Sequence, residues 1–96
     1  MPKVLIYMVK KVMWIFLFYN TDFNENRAHV HVGKKGTQDL CKIWLEPSIE
    51  VDKKGSLTDS QIKEVVSIAE EHKDKLLKQW VTFKKGETVK AFKVTK

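Results

Sequence analysis

The run Val12 to Tyr19, V-M-W-I-F-L-F-Y, constrains the fold more than any other stretch. It is rich in β-branched and aromatic residues and has the length of a strand rather than a helix. Val12, Trp14, Phe16 and Phe18 fall on one side of such a strand, and Met13, Ile15, Leu17 and Tyr19 on the other. A strand that is apolar on both sides calls for cover on both. It is therefore either a central strand between two layers or one whose second face meets another copy of the chain. Val4 to Val9 reads as a neighbouring strand, with Lys10 and Lys11 near the turn. Even joined, the two runs fall short of the roughly 20 apolar residues that cross a bilayer, and the lysines interrupt them. No small-residue cleavage site follows, so an export leader is not expected.

Ninety-six residues with 43% hydrophobic and 31% charged side chains suit one folded domain, 1–96, and exclude a low-complexity or disordered chain. The single cysteine, Cys41, excludes an internal disulfide and points to a reduced, cytoplasmic setting. Eighteen Lys and Arg against twelve Asp and Glu give a net charge of +6, which favours an anionic partner such as nucleic acid or an acidic protein. All of these cations but Arg27 are lysines. Arg27 alone offers a bidentate fork for phosphate or carboxylate.

His29-Val30-His31-Val32 alternates with period two, so a strand at 29–32 carries both imidazoles on one face, about 7 Å apart along the backbone. Gly33 to Gly36 reads as a four-residue hairpin loop leading to a strand at 38–45. That register sets Val30 and Val32 on a face with Cys41, Ile43 and Leu45, the face suited to packing under a helix. His29 and His31 share the other with Gln38, Leu40, Lys42 and Trp44. A further strand is expected at 48–51. Thr58 as N-cap with Gln61 three residues on forms a capping box, and Leu57 with Ile62 a hydrophobic staple. Apolar residues from Ile62 to Phe83 recur at spacings of three and four, predicting one long amphipathic helix over 59–85 that ends at Gly86. A last strand can follow at 89–94. The expected fold is α+β: four to five short, mostly antiparallel strands with one long helix on one face.

The histidine pair is the place where chemistry can sit. Three readings stand open. His29 and His31 with Arg27 can act as acid, base and charge stabiliser on a phosphodiester. They can hold a divalent metal with Asp22, or with Glu25 or His72. They can simply occupy the less buried face of a short strand. No other cofactor is expected. Asn20 to Ala28 has no periodic pattern and reads as a loop carrying Asp22 and Glu25 toward the pair. Lys34, Lys35 and Lys42 beside Trp44 suggest a nucleic-acid surface in which the indole stacks on a base. Gly-rich phosphate loops, C-x-x-C pairs and G-x-S-x-G elbows are absent from the sequence.

The order F-Y-N-T-D-F-N-E-N-R-A-H-V-H-V (Phe18 to Val32), C-K-I-W-L-E-P (Cys41 to Pro47), L-T-D-S-Q-I (Leu57 to Ile62) and L-L-K-Q-W (Leu76 to Trp80) resembles the bacterial domain of unknown function 4160 family. Many members carry prolines before the first histidine; Asn26, Arg27 and Ala28 stand there in this chain, as in a subgroup. The resemblance implies a small cytoplasmic domain, often encoded beside another small domain in what looks like a toxin–antitoxin pair. It maps the family motif onto Asp22, His29 and His31, with Trp44, His72 and Trp80 beside them. The function expected on both grounds is a toxin-like member of such a pair acting on RNA or a translation-related target, with a small antitoxin-like protein as partner. The alternatives are a protein-interaction or homodimerisation module, and a metal-binding domain.

Overall fold

The computed structural model describes residues 2–36 and 39–96. Its first strands, β1 (Lys3–Val9) and β2 (Val12–Leu17), pair antiparallel around a two-residue reversal, where Lys10 takes a φ of 56°. Phe18 and Tyr19 lie beyond β2 and lead into a short 3-10 helix, Asn20–Asn24, in the stretch expected to be an irregular loop. Next come β3 (His29–Lys34), β4 (Cys41–Trp44) and β5 (Glu50–Lys53), each antiparallel to the strand before it. Two helices follow, α1 (Asp59–Glu71) and α2 (Lys73–Lys84), and then β6 (Phe92–Thr95). The helices carry the chain from one edge of the sheet to the other, so β6 joins β1 in parallel and the order is β5-β4-β3-β2-β1-β6.

The architecture is α+β and mostly antiparallel, with three departures from expectation. The sheet has six strands rather than four or five. The helix is two helices meeting at His72, whose φ of −111° and ψ of 19° leave the helical region. Between Ala69 and Leu76 the apolar stripe has no aliphatic anchor. Only His72 stands there, its ring packed on Tyr7 and Phe92 at the bend. Third, the β3–β4 register differs. Gly33 and Lys34 belong to β3, pairing with Ile15 and Trp14, and Val32 faces Cys41 rather than Thr37. Thr37 and Gln38 lie outside the described residues, and β4 begins at Cys41. The shift is four residues, an even number, so the partition of side chains between the two faces survives.

One face forms the core. Leu5, Phe16, Val32 and Cys41 form one cross-strand row, Val30 and Ile43 the next, and all six are fully buried. Val65, Ile68, Ala69, Leu76, Trp80 and Phe83 of the helices close over them. The capping box at Thr58 is in place, with Gln61 N–H donating to Thr58 Oγ1 at 3.2 Å and Thr58 N–H to Gln61 Oε1 at 2.9 Å. Before it, Gly55 sits at φ 63°, and a Cβ there would lie 2.7 Å from the Asp39 carbonyl oxygen. Burial pushes the Cys41 thiol up to about 11. No described helix is long and apolar enough to cross a membrane.

Candidate functional site

Three buried side chains meet at the end of β3. The 3-10 helix turns Asp22 inward, fixed by Tyr19 N–H donating to its Oδ2 at 2.8 Å. One carboxylate oxygen then faces each imidazole: Oδ1 lies 3.0 Å from His29 Nε2, and Oδ2 lies 3.0 Å from His31 Nε2. The rings stand edge to face with centroids 5.2 Å apart. His29 is fully enclosed, its ring lodged between Trp44 and Trp80 at 5.4 and 5.0 Å. His31 packs on Tyr19 at 4.2 Å and lines an open cleft of about 380 Å³ with Tyr19, Thr21, Asp22, Asp39, Leu40, Lys42 and Lys53.

The hydrogen bonds assign protons. His29 Nδ1 lies 3.0 Å from the Arg27 carbonyl oxygen, which can only accept, so Nδ1 carries the hydrogen. Nε2 is then buried, with no hydrogen-bond partner among the described residues, and lies 3.0 Å from a carboxylate oxygen. Two electron-rich atoms at that distance repel unless a positive charge lies between them. His31 donates from Nε2 to Asp22 Oδ2. Burial, first of all, holds its pKa below the usual 6.5 against the raising effect of Asp22; His29 and Lys42 add to the lowering. His31 is thus neutral at pH 7.

The ligating atoms of Asp22, His29 and His31 all lie within 4.8 Å of one another. Around a tetrahedral ion with bonds of about 2.0–2.1 Å, ligand atoms sit roughly 3.3 Å apart. The backbone bond on His29 Nδ1 has the form that fixes the tautomer of a metal-bound histidine.

Of the other sequence-selected residues, Trp44 and Lys42 stay near the histidines and the rest turn away or lie elsewhere. Arg27 contributes its carbonyl, but its guanidinium turns away, donating to the Glu46 carbonyl at 2.8 Å and pairing with Glu50 at 3.3 Å. Trp44 lies under two cations, the Arg27 Cζ at 4.2 Å and the Lys42 Nζ at 4.4 Å from its ring, rather than offering a bare face to a base. Lys42 reaches the cleft, where it also lies 3.7 Å from Asp52. Lys34 and Lys35 stand at the opposite end of β3, about 16 Å or more along the strand from His29. Glu25 contributes a carbonyl that accepts from Lys84 Nζ, and His72 stays with Tyr7 and Phe92 under the helix junction. The sequence reading missed Tyr19 and Lys53. Tyr19 was legible from its place three residues before Asp22, whereas Lys53 comes in only through the cross-strand row His31–Lys42–Lys53.

Residues 14–81 match the model of the family described as Domain of unknown function (DUF4160). The chain belongs to this family. The matched stretch contains Asp22, His29, His31 and all of α1. No curated protein and no solved structure matches the chain.

Proposed function

We propose that this member of the family is a metal-binding domain, in which Asp22, His29 and His31 hold one divalent transition ion of the zinc class. The observation that carries the reading is the buried Nε2 of His29, 3.0 Å from a carboxylate oxygen and without a hydrogen-bond partner among the described residues, with Nδ1 already committed to a carbonyl. An ion between the three side chains would join His29 Nε2 and the Asp22 carboxylate by coordinate bonds, and His31 Nε2 becomes the third ligand as its hydrogen moves to Nδ1. Two imidazoles and a carboxylate suit zinc and its first-row neighbours, and the hard, all-oxygen preference of calcium argues against it. Three protein ligands leave a position toward the cleft, where Lys42 and Lys53 favour an anionic fourth ligand.

The test is elemental analysis and calorimetry on protein stripped with chelator and titrated with zinc and cobalt(II). The expected result is one ion per chain, a tetrahedral cobalt spectrum, and at least a roughly tenfold loss of affinity in His31→Ala and Asp22→Asn. A wild-type chain that takes up no ion, or variants that bind as well as it does, overturns the reading.

A second reading, acid–base chemistry on an RNA phosphodiester by a toxin-like protein, draws support from Lys42 and Lys53 beside His31 in the cleft. Its signature is RNA cleavage that persists in chelator and disappears in His31→Ala.

A further inference from the structure

Over β1 and β2 the second face of the sheet has no layer among the described residues. Ile6 and Met8 of β1 and Met13, Ile15 and Leu17 of β2 point to it, and each is only half-buried. Ile15 pairs with Gly33, so the cross-strand row Ile6–Ile15–Gly33 ends in a position without a side chain. The result is a hollow of about 610 Å³, lined by Ile6, Met13, Ile15 and Leu17, with Tyr19 and Leu40 beside them. Cations border it. Lys3, Lys34 and Lys35 line the hollow, Lys11 lines the adjoining one beside Met8 and Met13, and Lys93 pairs with Ile6 on the flanking strand. Among the described residues that line these two hollows none is acidic.

From this pattern we infer that the open face is a docking surface for an amphipathic segment of another protein, a helix whose aliphatic stripe is flanked by aspartate and glutamate. The apolar lining calls for an apolar partner surface, since exposed contiguous patches of this kind mark interaction sites. The lysine border selects the sign of the flanks. The size fits as well: a six-residue strand runs about 20 Å, the length of about 14 helical residues. A helix laid there would give the sheet its second layer and meet the demand of a strand that is apolar on both sides. A second copy of the chain is a poor occupant. Face-to-face pairing would set lysine border against lysine border, and the apolar stripes of α1 and α2 are already spent on the core. RNA is a poor occupant too, because Tyr19 is the only aromatic residue among the described lining of the hollow, and single strands need stacking platforms. None of the three metal ligands lines the hollow, which among the described residues shares only Tyr19 and Leu40 with the cleft beside His31.

The experiment is a titration of the full chain, labelled with nitrogen-15, with three probes: a helical peptide of leucine stripe and glutamate flanks, the same peptide with lysine flanks, and polyuridylate RNA. The glutamate peptide is expected to shift the amide signals of Ile6, Ile15 and Leu17. Its affinity should exceed that of the lysine peptide by at least roughly tenfold and weaken as salt is raised. Ile15→Glu, checked for an unchanged fold by circular dichroism, should abolish the shifts, and Ile6→Ser serves where Ile15→Glu fails to fold. Equal binding of both peptides, no shift with either, RNA shifting the same amides more strongly, or light scattering that finds a dimer through this face overturns the inference.

Discussion

The two faces of the sheet are built from the same strands and resolve differently. On the helix side, Phe16 and Val32 sit side by side with no exposed surface, closed over by the helices. On the other side, one residue away along the same strands, Ile15 lies next to Gly33 in a half-open hollow, and Leu17 lies next to His31 at the mouth of the cleft. The difference shows where stability and chemistry are separated. The helix side holds the packing that makes the fold, and the open side holds nearly everything with a polar task.

That separation is best broken by paired truncations. Phe16→Ala removes a fully buried ring and should cost about 3–5 kcal/mol, whereas Ile15→Ala, its half-buried neighbour, should cost about 1 kcal/mol. Urea unfolding of both variants measures the contrast, and equal losses would mean that the two faces are equally packed. A smaller effect, confined to the polar side, comes from pH. His31 has a lowered pKa in the fold, so the unfolded chain binds its proton more readily. Its contribution to stability is therefore complete above about 6.5 and is lost as pH falls from there toward the folded value. In metal-free protein the urea midpoint should fall between pH 7 and pH 5, and His31→Gln should flatten that dependence. A wild-type midpoint that stays level would refute this. The smallest effect is on reactivity. With its thiol pushed up to about 11 and buried on the helix side, Cys41 should label with a maleimide at pH 7 only as fast as the protein unfolds. Rapid labelling of the native chain would show that the helix side opens locally.

Much of this was legible in the sequence wherever a period or a cap carried the information. The alternation at His29 to Val32 sorted imidazoles from valines, and the sorting withstood a register error because the error was even. Thr58 and Gln61 announced the start of α1 through local chemistry alone. The bend at His72 was not legible, because the charged spacing from Glu70 to Lys75 fits a straight helix as well as two. The sixth strand was visible as a pattern, but its parallel place beside β1 depends on where the helices cross. In the candidate site, Asp22 could be named as a loop carboxylate, yet nothing periodic gave the 3-10 helix that aims it between the two rings. Trp44 was grouped with the histidines by strand register and does lie beside His29, whereas Arg27 was grouped with them by proximity in the chain. Proximity does not say which way a guanidinium turns, and here it is drawn to the Glu46 carbonyl, Glu50 and the indole face.

Gly55 is far from the histidines in the chain and touches none of them. Its bare α-carbon is nevertheless pressed against the backbone of Asp39 and Leu40, two residues of the cleft wall, and Ser56 N–H holds the Asp39 carbonyl at 3.2 Å. A side chain at position 55 would therefore meet the backbone behind that wall. Any larger residue at position 55 would act as a wedge on that wall, altering what can enter without altering a single group that an entering ligand would meet.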